Sequence, residues 1–65
     1  MNKYKVVFYD AKGMGIGEEY FVGLRTAKRF VFSKGFVFCE LYKPLQAHCY
    51  ANMATNESAV ITKVV

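Results

Sequence analysis

Leu24–Gly35, LRTAKRFVFSKG, is the stretch that decides the fold, because it carries the one convincing helix signal and lies between two runs that read as strands. On a helical projection Leu24, Ala27, Phe30 and Val31 share one side, the apolar stripe that a helix packed on a sheet needs. Arg25, Lys28, Arg29 and Ser33 take the remaining surface. Gly23 or Thr26 can cap the start. Lys34-Gly35 closes the end, with the glycine suited to the left-handed position just past a helix. Phe32 is the misfit, since it falls beside Arg25 and Lys28 rather than on the stripe. Either the helix buries a wide face or ends early, or Phe32 belongs to a basic–aromatic contact surface. Both accounts stay open on the sequence alone.

The flanking runs alternate with the period of strands. In Lys3–Tyr9 (KYKVVFY) the β-branched and aromatic residues favour a strand, with Tyr4, Val6 and Phe8 on the core face. Asp10-Ala-Lys-Gly13 is a turn, and Gly15 and Gly17 extend it into a loose tip. Glu18–Val22 (EEYFV) returns as the second strand of a hairpin. After the helix, Phe36–Tyr42 (FVFCELY) is the strongest strand. Strict alternation sends Val37, Cys39 and Leu41 toward the helix. Phe36, Phe38 and Tyr42 then form an aromatic row on the other face, a candidate protein interface that Phe32 joins. Pro44 stops this strand. Leu45–Ala54 (LQAHCYANMA) favours a short helix by its Ala, Leu, Gln and Met content, although its alternation would also suit a strand. Thr55–Ser58 turns, and Ala59–Val65 (AVITKVV) is a final strand. The expected fold class is α+β: a single domain over residues 1–65, with a small antiparallel sheet and one main helix in the order β-β-α-β, a short helix and a last strand.

Composition limits what such a domain can be. A chain of 65 residues buries only ~60% of the surface its unfolded form exposes, yet 54% of its residues are hydrophobic and 17% aromatic. Six Phe and five Tyr exceed what so small a core encloses, and exposed apolar patches of a few hundred Å² or more mark interaction sites. A homo-oligomer, or a complex with another protein, is therefore expected. The net charge of +4 favours acidic partners: nucleic acid, nucleotides or an acidic protein face. Arg25, Lys28, Arg29 and Lys34 are the candidate anion-binding residues. No apolar run approaches the ~20 residues of a membrane span, and residues 1–10 carry no signal-peptide core. The cytoplasm of a bacterium or an infected host cell is the expected compartment.

Reactive constellations are sparse. Cys39 and Cys49 match neither a zinc spacing nor a redox pair and read as small apolar thiols. His48 is the one histidine; it adjoins Cys49, but adjacent residues of a helix or strand point in different directions. A metal site needs three or four ligands, and none stand at ligand spacing. Glu18 and Glu19 are adjacent, so a strand sends them to opposite faces. Gly13-Met-Gly-Ile-Gly17 lacks the Gly-Lys-Ser/Thr and the following helix of a phosphate loop. No cofactor is expected, and the chain reads as non-catalytic.

Residues 4–30 carry a family likeness. A strand ending in Tyr9-Asp10, a glycine turn, a second strand with Phe21 and Thr26-Ala27 opening a basic helix is similar to the arm-type DNA-binding domain of tyrosine recombinases. The resemblance implies a sheet that reads the major groove with a helix packed behind it, although EEYFV is acidic and apolar where that family's sheet is usually basic. The short, basic, aromatic chain also looks like a small bacteriophage accessory protein. Together these readings lead to a binding module, expected as a phage-type protein-interaction or inhibitor protein acting as an oligomer. The alternative is nucleic-acid or nucleotide binding through the basic helix.

Overall fold

The computed structural model describes residues 2–64; Met1 and Val65, the last residue of the expected final strand, lie outside them. Strands β1 (Lys3–Tyr9) and β2 (Gly15–Val22) form a hairpin, followed by helix α1 (Leu24–Ser33) and strands β3 (Val37–Tyr42), β4 (Ala47–Asn52) and β5 (Glu57–Lys63). The five strands make one antiparallel sheet in the order β2-β1-β5-β4-β3. Helix α1 lies on one face, over β2, β1 and β5. The fold is thus the small α+β sheet with one main helix that the patterning leads one to expect. Among the described residues no helix is long and apolar enough to cross a membrane.

The short helix expected over Leu45–Ala54 is not formed. Lys43–Leu45 is a single 3-10 turn that ends at Gln46 in the left-handed region, φ 49°. Ala47–Asn52 is strand β4, paired with β3 on one side and β5 on the other. Two ladders and the burial of Tyr50 outweigh a helix propensity worth tenths of a kcal/mol per residue. The hairpin also departs from expectation. The Asp10 carboxylate accepts hydrogen bonds from the Lys12 and Met14 amides, each 2.9 Å, and the Asp10 amide donates to the Met14 carbonyl at 2.8 Å. This closes a tight turn at Gly13, so that Gly15 and Gly17 join β2 rather than a loose tip.

The core is a single cluster of Val6, Ala27, Val31, Phe36, Tyr50, Ala59 and Ile61. Burying side chains such as Val6, Val31 and Ile61 stabilises by about 1.5–3 kcal/mol each. Phe30 extends the cluster toward the hairpin, with ring centroids 4.8 Å from Phe21 and 6.0 Å from Phe8.

The exit from α1 determines how β3 is presented. Gly35 sits at φ 92°; its amide donates to the Phe32 carbonyl (3.0 Å), and the Phe36 amide donates to the Val31 carbonyl (3.2 Å). This nested pair of bonds is a Schellman closure, which brings the residue after the glycine against the last turn of the helix. Phe36 is accordingly 4% exposed and meets Phe8 edge to face at 5.6 Å. The expected face assignment of β3 is therefore corrected. Phe36 is in the core, Phe38 follows it onto the helix side opposite Tyr50, and Val37 turns outward opposite Ala51. A bulge between Phe38 and Glu40 inserts Cys39 as an unpaired residue, which resets the alternation. Leu41 then returns to the helix side opposite His48, while Glu40 and Tyr42 face away from it. Cys39 is exposed rather than packed under the helix.

The closure makes a direct prediction. A Cβ at Gly35 would meet the Asn52 amide nitrogen at 3.2 Å from an already left-handed backbone. Gly35→Ala should lower the unfolding free energy by about 1–2 kcal/mol. Gly17→Ala, where an added Cβ has nothing within 4 Å, should stay within about 0.5 kcal/mol. Urea denaturation of the two variants checks this; equal midpoints would show that the helix exit is not constrained in this way.

Candidate functional site

Two candidate binding surfaces stand out once the core is built, one on each side of the sheet. The first is the whole face opposite α1. Register places Glu18, Val7, Val60, Cys49 and Glu40 side by side across the five strands. One neighbouring row runs through Tyr9, Ser58, Ala51 and Val37. The other carries Tyr20, Lys5 and Thr62 toward β2, and Ala47 and Tyr42 toward β3. Small residues hold the centre and tyrosines the two edges. Five strands about 4.8 Å apart and roughly 20 Å long present some 400–500 Å² of face, and among the described residues no element covers it. Its charges balance, Lys3 and Lys5 against Glu18 and Glu40, with Lys5 Nζ 4.0 Å from Glu18 Oε2.

The second surface is a groove of about 340 Å³ on the helix side, between α1 and the β3–β4 hairpin. It is lined by Lys28, Arg29, Phe32, Val37, Phe38 and Tyr50. Phe38 packs edge to face on Tyr50 at 5.5 Å. Tyr50 forms a floor that is 7% exposed, while Phe38 (53%) and Phe32 (70%) stand open to solvent. Because α1 runs on to Ser33, Phe32 is a helical residue on the outer surface. It stands neither in a wide buried face nor in the exit turn, but exposed beside Lys28 and Arg29.

The anticipated site residues are therefore regrouped. Lys28 and Arg29 line the groove together with Phe32 and Phe38, and Arg25 stands one turn earlier on the same helix ridge. Lys34 is separate. Its Nζ lies 5.2 Å from the Phe30 ring centre, and it lines a different recess with Glu18, Glu19 and Glu57. Of the expected aromatic row, Tyr42 alone lies on the open face. Tyr50, Val60 and Val7 were not singled out from sequence; reading Ala47–Asn52 as a strand would have put Tyr50 beside Phe38.

The titratable groups add local detail. His48 faces the helix side, where burial first and then the Lys28 ammonium hold its imidazole below the ordinary value. Cys49 faces the other side, so the adjacent pair does not act together. Burial pushes the Cys49 thiol up, with Glu40 and Cys39 adding to it. Both cysteines are free. Among the described residues no three His, Cys, Asp or Glu side chains gather as a metal site would require.

A depressed histidine gives a signed pH dependence. Above its ordinary value of 6.5, His48 is neutral in both the folded and unfolded chains. As pH falls through that value the unfolded chain takes up the proton first, so stability is lost down to the lowered native value. His48→Gln should reduce the drop in urea midpoint between neutral pH and mild acid. An unchanged drop would show that His48 contributes nothing to it.

Comparison of the chain with protein-family models, curated proteins and solved structures finds no match.

Proposed function

We propose that the chain is a non-catalytic protein-binding module that associates with a second copy through its open sheet face. The observation that carries this reading is the uncovered five-stranded face, apolar at its centre and edged by Tyr20 and Tyr42. A face of this size matches the largest patch a typical monomer leaves bare, and such patches are often functional. Its balanced charges suit a copy of itself, since a two-fold rotation can set the Lys5 row against the Glu18–Glu40 row. Two such faces bury close to 1,000 Å² between them, the lower limit of specific interfaces, so a micromolar dimer is expected rather than a permanent one. In its narrower form, as a phage-type inhibitor working in the cytoplasm, the reading rests on size and composition.

Nucleic-acid binding, the alternative raised by the basic helix and by the recombinase likeness, calls for one continuous basic surface. Here Lys3 and Lys5 lie on the open face beside Glu18, whereas Arg25, Lys28 and Arg29 lie across the sheet on α1. That division favours the protein-binding reading.

Sedimentation equilibrium over the micromolar range tests the proposal. The wild type should pass from 7.4 kDa monomer to dimer with concentration. Val60→Lys, which places a charge at the centre of the face, should remain monomeric while keeping its far-ultraviolet spectrum. A wild type that stays monomeric to millimolar concentration, or a Val60→Lys variant that still dimerises, would refute it.

A further inference from the structure

We infer that the groove between α1 and the β3–β4 hairpin receives an acidic amphipathic helix from another protein. This goes beyond the self-association reading and is independent of it, because the groove lies on the opposite side of the sheet.

Dimensions come first. Five strands at about 4.8 Å spacing set the outer strand axes roughly 19 Å apart, and helices pack side by side at about 8–10 Å. The helix face therefore has room for two helices, and α1, over β2, β1 and β5, occupies one position. The second position, over β4 and β3, has an aromatic floor of Tyr50 and Phe38, with Val37 at its rim, continued along the strands by Leu41. Phe32 projects over it from the last turn of α1.

Charge specifies the occupant. The α1 wall carries Lys28 and Arg29, with Arg25 a turn away, and no carboxylate lines the groove. A helix laid alongside α1 would bring its flank against this ridge, where Asp and Glu side chains find partners. Its apolar stripe would cover Phe38 and Tyr50. A single-stranded nucleic acid could stack on Phe32 and Phe38, but it also needs cations that follow its phosphates. The β3 wall supplies none, only Val37 and Phe38.

Fluorescence anisotropy with three dye-labelled probes tests this. The first is a designed helical peptide of about 18 residues, roughly five turns, with a leucine stripe flanked by glutamates. The second replaces every glutamate with lysine, and the third is a short oligothymidylate. The acidic peptide should bind the full-length protein at least about tenfold more tightly than either of the others. Phe38→Ala should weaken it by about tenfold or more, as expected for a central aromatic contact. Arg29→Glu, an exposed helix position, should narrow or reverse the preference for the acidic over the basic peptide. Lys12→Ala, in the exposed β1–β2 turn away from both surfaces, should leave binding unchanged. Equal affinity for the two peptides, no binding at several hundred micromolar, or tighter binding of the oligothymidylate would overturn the inference. The last result would mark the groove as a nucleic-acid site instead.

Discussion

The hydrogen bond from the Phe36 amide to the Val31 carbonyl is the constraint on which the rest of this molecule depends. It exists because Gly35 can adopt a left-handed backbone. It turns the chain sharply enough for the residue after the glycine to lie beneath the helix it has just left. Phe36 then becomes a core residue, locked against Phe8 and Val31. Since side chains alternate along a strand, burying Phe36 commits Phe38 to the helix side and Val37 to the opposite one. The bulge at Cys39 carries the opposite consequence for the far half of β3. Without it Tyr42, not Leu41, would sit on the helix side.

From that exit follows the division between the two faces. One ten-residue helix cannot cover five strands, so it takes the β2–β1–β5 half of one face and leaves the β4–β3 half as a groove. The other face is left uncovered by the described residues. The aromatic excess in so short a chain is distributed accordingly. Phe8, Phe21, Phe30 and Phe36 build the core around α1, Phe32 and Phe38 edge the groove, and Tyr20 and Tyr42 edge the open face. A small domain with a marginal core that leaves this much apolar surface gains stability when a partner binds only its folded form. Binding and folding are then linked.

Much of this was legible in the sequence. The helix, its apolar stripe, its glycine stop, the first hairpin and the last strand all carry strong local signals. The basic ridge of Arg25, Lys28 and Arg29 follows from helical spacing alone. What was not legible depends on contacts distant along the chain. Leu45–Ala54 contains good helix formers in its Leu, Gln, Ala and Met, yet Ala47–Asn52 becomes a strand because an empty slot between β5 and β3 satisfies its backbone on both sides. The bulge at Cys39 leaves no mark in FVFCELY, so strict alternation placed Phe38 and Val37 on the wrong faces. The groove shares that cause: its floor joins Phe38 to Tyr50, one residue placed on the wrong face and one from a segment given the wrong structure.

The central claim is that the open sheet face is a protein-binding surface whose first partner is a second copy. The most direct measurement is an isotope-filtered nuclear Overhauser experiment on a mixture of labelled and unlabelled chains. The account predicts intermolecular contacts among the Val7, Val60 and Ala51 methyls and the Tyr20 and Tyr42 rings, with none to Phe32 or Phe38. Intermolecular contacts confined to the helix side, or none at concentrations up to millimolar, would contradict it.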